Sequence, residues 1–453
     1  MMARLRRALC AMAACTVPVA STIAEDVRYA LANDVSAGRI EADIRSLVDF
    51  GTRHTLSETA SDRRGIGAAR RWVEQSFRDM SRDCGGCLEV ITVSGTVSGE
   101  DRIPEPTEVV SVLAIQRGTL DPGRIVMMTA DIDSRVSDPM DSTSDSPGAN
   151  DNASGMAGAL EAARVLSRRS FPGTIIYAGL SGEEQGLFGG KIVAEHALQD
   201  GWRIKAVLNN DMIGNISGID GVTDNTTARV FSEGTRYVET AEEARTRRFS
   251  GGEVDSPSRN LARYIDRMAD AFIPNLDVMM VYRLDRFGRG GHHRPFNEVG
   301  IPAVRIMETH ENYNRQHQDL RVEDGIEYGD VIAGVDFDYA RKLTALNVVS
   351  LAGLALAPPF PANVEISGAV QPSTTLSWTL AEGKAAENLA GYKVYWRLTT
   401  DAQWTWSRDV GLVDHYVLEN IVIDNYFFGV ASVSTDGYES PVVFPGRTGS
   451  FGD

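Results

Sequence analysis

The residues whose types and spacing point to chemistry are acids that directly follow apolar runs. RIVMMTA runs into Asp131 and Asp133, TIIYAGLSG into Glu183 and Glu184, and AVLNN into Asp211. Two further groups accompany them, Asp151 in the glycine-flanked turn PGANDNASG and His317 in the loop after IPAVRIMETH. If the runs are parallel strands, their carboxyl ends share one edge of a sheet, where ligands of such sheets bind.

Several carboxylates crowded into one cleft repel one another and take up protons unless a cation neutralises them. Carboxylates with an imidazole form a donor set that suits divalent zinc, and manganese or cobalt also fit it. A neighbouring carboxylate outside the ligand set then serves as a general base, so Glu183 and Glu184 divide these two tasks. The pattern predicts metal-assisted hydrolysis.

The elements that must position these residues alternate between strand and helix. Strand-like runs such as VVSVLAI, RIVMMTA and GTIIYAGLS are interleaved with amphipathic segments such as ASGMAGALEAARVLSRR. This alternation predicts an α/β fold whose central mixed, largely parallel sheet is flanked by helices on both faces.

Five segments resemble successive motifs of a known enzyme family. In chain order they are PGANDNASGMAGALEAARVL, LSGEEQGLFGG, LNNDMIGN, DRFGRGGHHRPFNEVGIPAVRIME and ENYNRQHQDLR. Their order and spacing are similar to those of the di-zinc aminopeptidases, a family that includes aminopeptidase S, aminopeptidase Y and the bacterial leucyl aminopeptidases. The resemblance covers roughly residues 40 to 355 and implies the zinc exopeptidase fold and hydrolysis of N-terminal residues from peptides.

The resemblance also implies a role for each site residue and two divalent ions, most simply Zn²⁺. Asp151 would bridge the ions, Glu183 would be the general base, and Glu184, Asp211 and His317 would complete the ligand sets. One ion would be held by Asp151, Asp211 and His317. The other would be held by Asp131, Asp151 and Glu184, with Asp133 as the acid that orients the ligands.

Position 131 departs from the family pattern, which has histidine, any residue and aspartate where this chain has Asp131-Ile132-Asp133. Three hypotheses follow: Asp131 still binds metal in a weaker site, the site is empty and one ion suffices, or activity is lost. His292 and His293 occupy the stretch where the family has an aspartate and a histidine. We expect them to be structural or to support the ligands, with replacement of the lost ligand as the alternative.

The function predicted from these residues is metal-dependent removal of N-terminal residues from peptides, with Glu183 as the base. The alternatives are a single-metal amidohydrolase or glutaminyl cyclase-like acyltransferase, and a non-catalytic peptide-binding protein. Metal content and activity on peptides distinguish them.

The amino terminus predicts export. MMARLRRALCAMAACTVPVASTIAED has basic residues, a short apolar run and small residues near Ala24, which is the layout of a signal peptide over residues 1–24. The mature protein is then secreted or periplasmic, with no transmembrane segment after signal removal. A lipoprotein cleavage site at Cys15 is the minor alternative. Cys84 and Cys87, in DCGGC, are predicted to form a structural disulfide.

The rest of the chain divides into two predicted domains, a metallopeptidase domain over 25–357 and a β-sandwich over 358–453. From Pro358 a proline-rich segment leads into short strands such as TTLSWTL and GYKVYWRL. This region resembles a fibronectin type III domain. The formal net charge of −17 argues against nucleic acid and anionic membranes as partners and leaves peptide substrates.

Overall fold

A computed structural model describes residues 26–452 of the chain. The predicted signal peptide and the lipoprotein alternative at Cys15 lie outside these residues. Over the described range, no helix combines the length and the apolar character needed to cross a membrane.

The described chain begins with three helices and continues into strands and helices that alternate. The elements up to the proline-rich boundary are α1 (Val27–Asp34), α2 (Ala37–Val48), α3 (Gly65–Asp83), β1 (Glu89–Val97), β2 (Thr107–Gln116), β3 (Asp121–Asp131), α4 (Ala153–Leu166), β4 (Gly173–Leu180), α5 (Phe188–Gln199), β5 (Arg203–Asn210), β6 (Thr227–Phe231), α6 (Ala241–Ser250), α7 (Pro257–Phe272), β7 (Asp277–Val281), α8 (His293–Glu298), β8 (Ala303–Glu308), the short strands β9 (Arg321–Glu323) and β10 (Ile326–Tyr328), and α9 (Phe337–Leu356).

Eight strands form one mixed sheet in the order β1-β2-β4-β3-β5-β8-β6-β7. Its centre is parallel, since β3 pairs in parallel with β4 and β5, and β5 pairs in parallel with β8. The antiparallel pairs are β1 with β2, β2 with β4, and β6 with β8. The predicted mixed sheet with helices on both faces is confirmed.

The sheet separates two apolar cores. Met128 of β3 packs with α2, α4, α7 and α9 on one face, whereas its neighbour Met127 packs with α5 and α8 on the other. Successive side chains of a strand point to opposite faces, so a strand covered on both sides reads as a continuous apolar run. This is why RIVMMTA contains no polar alternation.

Local signals explain where the helices around the site begin. The Asn152 side chain accepts a hydrogen bond from the Gly155 N–H and so caps α4 immediately after Asp151. Ser256 caps α7 in the same way, with Pro257 in its first turn. The cap of α4 therefore fixes the chain direction next to Asp151.

The last part of the described chain is a β-sandwich of two three-stranded antiparallel sheets. One contains β11 (Ala362–Ser367), β12 (Thr374–Thr379) and β15 (His415–Leu418), and the other contains β13 (Leu389–Leu398), β14 (Trp406–Gly411) and β16 (Tyr426–Ser434). Trp378 and Tyr392 pack between the sheets, with ring centroids 5.3 Å apart. The predicted sandwich is confirmed, whereas the fibronectin type III character and the boundary at 358 stay predictions.

The sandwich contacts the larger region through buried charges. Asp255, which precedes α7, accepts hydrogen bonds from Arg397 of β13 at 2.8 and 2.9 Å and from Arg263 of α7 at 2.9 Å. All three side chains are almost inaccessible to solvent. The two regions thus share an ion-pair cluster.

Candidate metal centre

The carboxyl ends of the central strands bring the predicted site residues to one edge of the sheet. Asp131 ends β3, and Asp211 follows β5 directly. Glu183 and Glu184 follow the end of β4, and Asp151 lies in the turn before α4. His317 comes from the long loop after β8.

Three of these residues converge on one point. The ligand atoms of Asp151, Glu184 and His317 all lie within 4.8 Å of one another. The His317 Nε2 atom is 3.0 Å from Asp151 Oδ2 and 3.1 Å from Glu184 Oε1. Two carboxylates and an imidazole at this spacing form a donor set suited to a zinc ion with a fourth position open.

The grouping corrects the ligand sets expected from the sequence. Those sets placed Asp211 with His317 and placed Glu184 with Asp131. In the structure Glu184 belongs with His317, because the loop after β8 carries His317 across to the end of β4. Asp131 and Asp211 are outside this group and contact other protein side chains.

Arg135 supports two of the three converging residues. Its Nε atom is 2.8 Å from Glu184 Oε2, and its Nη2 atom is 2.7 Å from His317 Nδ1. Arg135 is mostly buried. Its guanidinium group therefore contacts both side chains and restricts their orientation.

Hydrogen bonds to the backbone and to the carboxylate of Asp151 hold this residue in place. The N–H groups of Asn150 and Asp151 donate to Asp330, the latter at 2.6 Å, and the Asp151–Asn152 peptide bond is cis. The Gln316 Nε2 atom donates to Asp151 Oδ2 at 3.1 Å. Burial alone would raise the pKa of Asp151, but the hydrogen bond and the charge of His317 outweigh it and lower that pKa.

Asp133 holds the segment that carries both glutamates. Its Oδ1 atom accepts from the Glu183 N–H at 3.3 Å, and its Oδ2 atom accepts from the Glu184 N–H at 3.1 Å. The Thr55 hydroxyl donates to the same Oδ2 at 3.0 Å. Asp133 thus orients the backbone of Glu183 and of Glu184.

Glu183 lies beside the three converging residues with its carboxyl group in a strongly acidic environment. Burial, followed by the charge of Glu184 and then that of Asp211, raises the pKa of Glu183 well above its usual value. A carboxyl group with a raised pKa and a place next to a candidate metal site is suited to accept and return a proton.

Asp131 does not face the converging trio as a free ligand. Its Oδ1 atom forms a short hydrogen bond with His292 Nδ1, and its Oδ2 atom accepts from Asn152 Nδ2 at 2.8 Å. Burial raises the pKa of Asp131 to about 8 and lowers the pKa of His292 to about 4. Both side chains are buried, and among residues 26–452 the His292 Nε2 atom has no hydrogen-bond partner.

Asp211 is paired with an arginine. Arg305, which projects from β8, has its Nη2 atom 2.7 Å from Asp211 Oδ2 and its Nη1 atom 3.1 Å from Asp285 Oδ2. Its side chain is completely buried. The buried guanidinium therefore neutralises part of the charge of Asp211 and Asp285.

The side chains of the site provide different sets of ligands for the two ions that the family resemblance implies. Asp151, Glu184 and His317 fit one divalent cation by type and by spacing. Of the residues expected for a second ion, Asp131 has both oxygens hydrogen-bonded by the protein, and Asp211 has its Oδ2 atom paired with Arg305. Among residues 26–452 the Asp211 Oδ1 atom is buried without a hydrogen-bond partner. The other close group of acids in the described chain, Asp266, Asp270 and Asp277, is partly exposed and has no histidine.

The trio opens into a cleft of about 620 Å³. Asp151, Glu183, Glu184 and His317 line it, and so does Asp211. Because the site is open to solvent on this side, a peptide can reach the candidate metal ligands.

The site contains residues that the sequence analysis did not identify. Arg135, Arg305 and Asp330 each contact a predicted site residue. Arg135 stands two residues after Asp133, and Arg305 lies inside the predicted strand IPAVRIME, where a charge is unusual. In the sequence, this charge within an apolar run was the only indication that Arg305 belongs to the site.

Comparison with known proteins agrees with this geometry. A sequence model of Peptidase family M28 matches residues 112–330. A protein of Leptosphaeria maculans named a probable zinc metalloprotease is 43% identical over 422 residues, which cover 93% of this chain and 97% of that protein. A relative of the same name from Pyricularia oryzae is 41% identical and covers 93% of this chain and 84% of its own length.

Solved structures show the same fold. LapB of Legionella pneumophila has a TM-score of 0.53 at 18% identity and covers 73% of this chain and 75% of its own. The LapA aminopeptidase of that organism has a TM-score of 0.52 at 19% identity, covering 74% and 73%. Fold, site and relatives together define a metallopeptidase. The chain belongs to peptidase family M28.

Proposed function

We propose that this protein is an exported zinc-dependent aminopeptidase that removes N-terminal residues from peptides. The observation that carries the proposal is the convergence of Asp151, Glu184 and His317 beside the partly buried Glu183, in an open cleft. The names of the curated relatives and of the LapA structure support zinc and aminopeptidase activity.

We further propose one ion, held by Asp151, Glu184 and His317, in place of the two that the family resemblance implies. The hydrogen bonds of Asp131 and the ion pair of Asp211 support this count. A bound zinc ion would supply the Lewis acidity that polarises the scissile carbonyl and lowers the pKa of a water molecule.

The protein's own residues then handle protons and position. Glu183 accepts a proton from the attacking water and returns it to the leaving amine. Asp133 holds the backbone of Glu183 and Glu184 by two hydrogen bonds, so the base and the ligand keep a fixed relation. Arg135 holds the carboxylate of Glu184.

Export is part of the proposal. The signal-like residues 1–24 predict it, and the bond between Cys84 and Cys87 supports it, because structural disulfides persist in oxidising compartments. The sandwich over 358–453 is proposed to be a fibronectin type III-like module attached to the peptidase domain of 25–357.

Hydrolysis of matched peptides by the full mature chain tests the proposed function. After removal of bound metals and reloading with zinc, the protein should release the first residue of unblocked peptides and leave N-acetylated peptides intact. Chelation should abolish the activity, and zinc should restore it. Release of ammonia from N-terminal glutamine without peptide cleavage would favour the glutaminyl cyclase-like alternative, and binding without turnover would favour the peptide-binding alternative.

A further inference from the structure

The walls of the cleft carry positive charge, although the whole chain carries a formal net charge of −17. Six cationic side chains line the cleft, namely Arg102, Arg135, Lys191, Arg286, Arg289 and Arg294. Five acids also line the cleft, namely Asp151, Glu183, Glu184, Asp211 and Glu298. Only the cations that are not neutralised by the protein's own acids are therefore available to attract an anionic ligand.

Two of the six are bound to acids of the site and its surroundings. Arg135 is bound to Glu184 at 2.8 Å. Arg286 is buried and donates to Glu311 at 2.9 Å. These cations balance buried carboxylates and are not available to a substrate.

The segment before α8 contributes a surplus of charge. Arg289 shares the Glu311 carboxylate with Arg286 and with Arg229, at 3.0 Å for both Arg289 and Arg229. Arg286 also pairs with Asp285 at 3.2 Å, and Arg305 pairs with both Asp285 and Asp211. Four guanidinium groups thus share three carboxylates, and a third of the Arg289 side chain is exposed. Arg294, in contrast, is paired with Glu298 at 3.2 Å.

Another part of the cleft wall contains two cations whose partners are uncharged in the described part of the chain. The Arg102 Nη1 atom donates to the Glu184 backbone carbonyl at 2.6 Å, and the Lys191 Nζ atom lies 4.5 Å from the centre of the Phe188 ring. Both side chains are exposed. They therefore face the cleft with their charge unpaired.

This wall is anchored close to the candidate metal ligands. Ile103, next to Arg102 in the chain, packs in one apolar cluster with Val109 and Phe188, the residue beneath Lys191. Arg102 itself bonds to the backbone of Glu184. The two charges are thus held near the point where a scissile bond would lie.

We propose that the cleft selects peptides that carry a carboxylate beside the scissile bond, and that Arg102 and Lys191, together with Arg289, determine this specificity. The proposal rests on the peptidase function proposed above and adds its substrate class. The carboxylate has two possible sources, an acidic side chain next to the bond and the free α-carboxylate of a dipeptide.

Matched substrate pairs test the proposal on the zinc-loaded full chain. Glu and Gln at the first position and Glu and Gln at the second test the side-chain source, while Leu-Gly and Leu-Gly-amide test the α-carboxylate. We expect the carboxylate member of at least one pair to have a kcat/KM about tenfold higher, as two or three partly exposed charges allow. The advantage should shrink between about 0.01 and 1 M salt, where the Debye length falls from about 30 to 3 Å.

Variants of Arg102 and Lys191 test whether these two residues cause the carboxylate preference. Arg102→Gln with Lys191→Gln should reduce the carboxylate preference several-fold, mainly through KM, and Arg102→Lys should recover part of it. Arg168→Gln, at an exposed cation outside the cleft, is the matched control and should keep the preference. Equal turnover of every pair, or a preference that survives in the double glutamine variant, would overturn the proposal.

A binding measurement separates this proposal from the proposed function. The dissociation constants of reduced-bond analogues of the same peptides report the preference without requiring catalysis. If no peptide is cleaved but the carboxylate analogues bind about tenfold tighter, the aminopeptidase function fails and the specificity holds. If peptides are cleaved but paired analogues bind equally, the specificity fails alone.

Discussion

Asp131 and His292 form a buried hydrogen bond between the carboxylate Oδ1 and the imidazole Nδ1 at the carboxyl end of β3. The pair places an acid where the family resemblance implies a histidine, and a histidine where it implies an acid. With Asn152 bonded to the other oxygen, Asp131 is occupied by protein groups. This arrangement underlies the proposal of a single ion.

Exchanging the two side chains should change the metal content. In the double variant Asp131→His with His292→Asp, an imidazole returns to the end of β3 and the two residues can still form a hydrogen bond. We expect the bound zinc to rise from about one to about two equivalents, as measured by elemental analysis.

The single variants are the controls for the exchange. Asp131→His alone places two imidazoles together and removes the acceptor of a buried donor, which should lower the free energy of unfolding by about 1–3 kcal/mol. Two equivalents of zinc in the wild-type protein, or one in the double variant, would show that the Asp131 and His292 pair does not limit the number of ions.

Glu183→Gln should remove the base and leave the metal ligands in place. The amide cannot accept a proton, so kcat should fall by about 10²–10⁴-fold while zinc content is unchanged. Steady-state kinetics and elemental analysis on the same preparation check this. Near wild-type kcat with full zinc content would assign proton transfer to another residue.

Asp133→Ala should impair catalysis through position, because the Glu183 and Glu184 N–H groups lose their shared acceptor. Displacement of a reacting group by about 1 Å costs about 10²-fold in rate, so kcat at saturating zinc should fall by about that factor. Asp101→Ala, at an exposed acid in the turn between β1 and β2, should retain full activity. A loss that excess zinc restores completely would indicate weakened metal binding instead.

The contact between the sandwich and the peptidase region depends on Asp255. Asp255→Ala leaves the buried Arg263 and Arg397 without their shared carboxylate, and removal of one partner from a buried ion pair costs about 3–5 kcal/mol. Denaturant unfolding of the variant and of Asp101→Ala measures this. Equal stability of the two variants would mean that the cluster adds nothing to the contact.

Strong local patterns were enough to predict the central sheet from the sequence. β3, β4 and β5 each contain a continuous apolar run, namely IVMM, IIYAGL and AVL. The predicted helical segment ASGMAGALEAARVLSRR begins where α4 begins and extends three residues past its end at Leu166. α9 was missed because its 20 residues are buried on nearly every side, which removes the polar stripe that marks a surface helix. β1 was missed because it is an edge strand in which only one residue, Val93, is buried, so it lacks a clear apolar pattern.

The site was predictable as a set of residues but not as a set of contacts. Strand ends and turns placed Asp151, Glu184 and His317 near one edge, whereas their grouping depends on the path of the loop after β8. Arg305 can pair with Asp211 because β8 is the neighbour of β5 in the sheet. The two strands are far apart in the sequence. No spacing in the sequence encodes that adjacency.

The most direct test of the central claim is the zinc content and peptidase activity of His317→Ala beside the wild-type chain. The control is His415→Ala, an exposed histidine of the sandwich. We predict about one equivalent of zinc and full activity for the wild type and the control, and loss of both zinc and activity in His317→Ala. Wild-type zinc content and turnover in His317→Ala would contradict a metal centre formed by Asp151, Glu184 and His317.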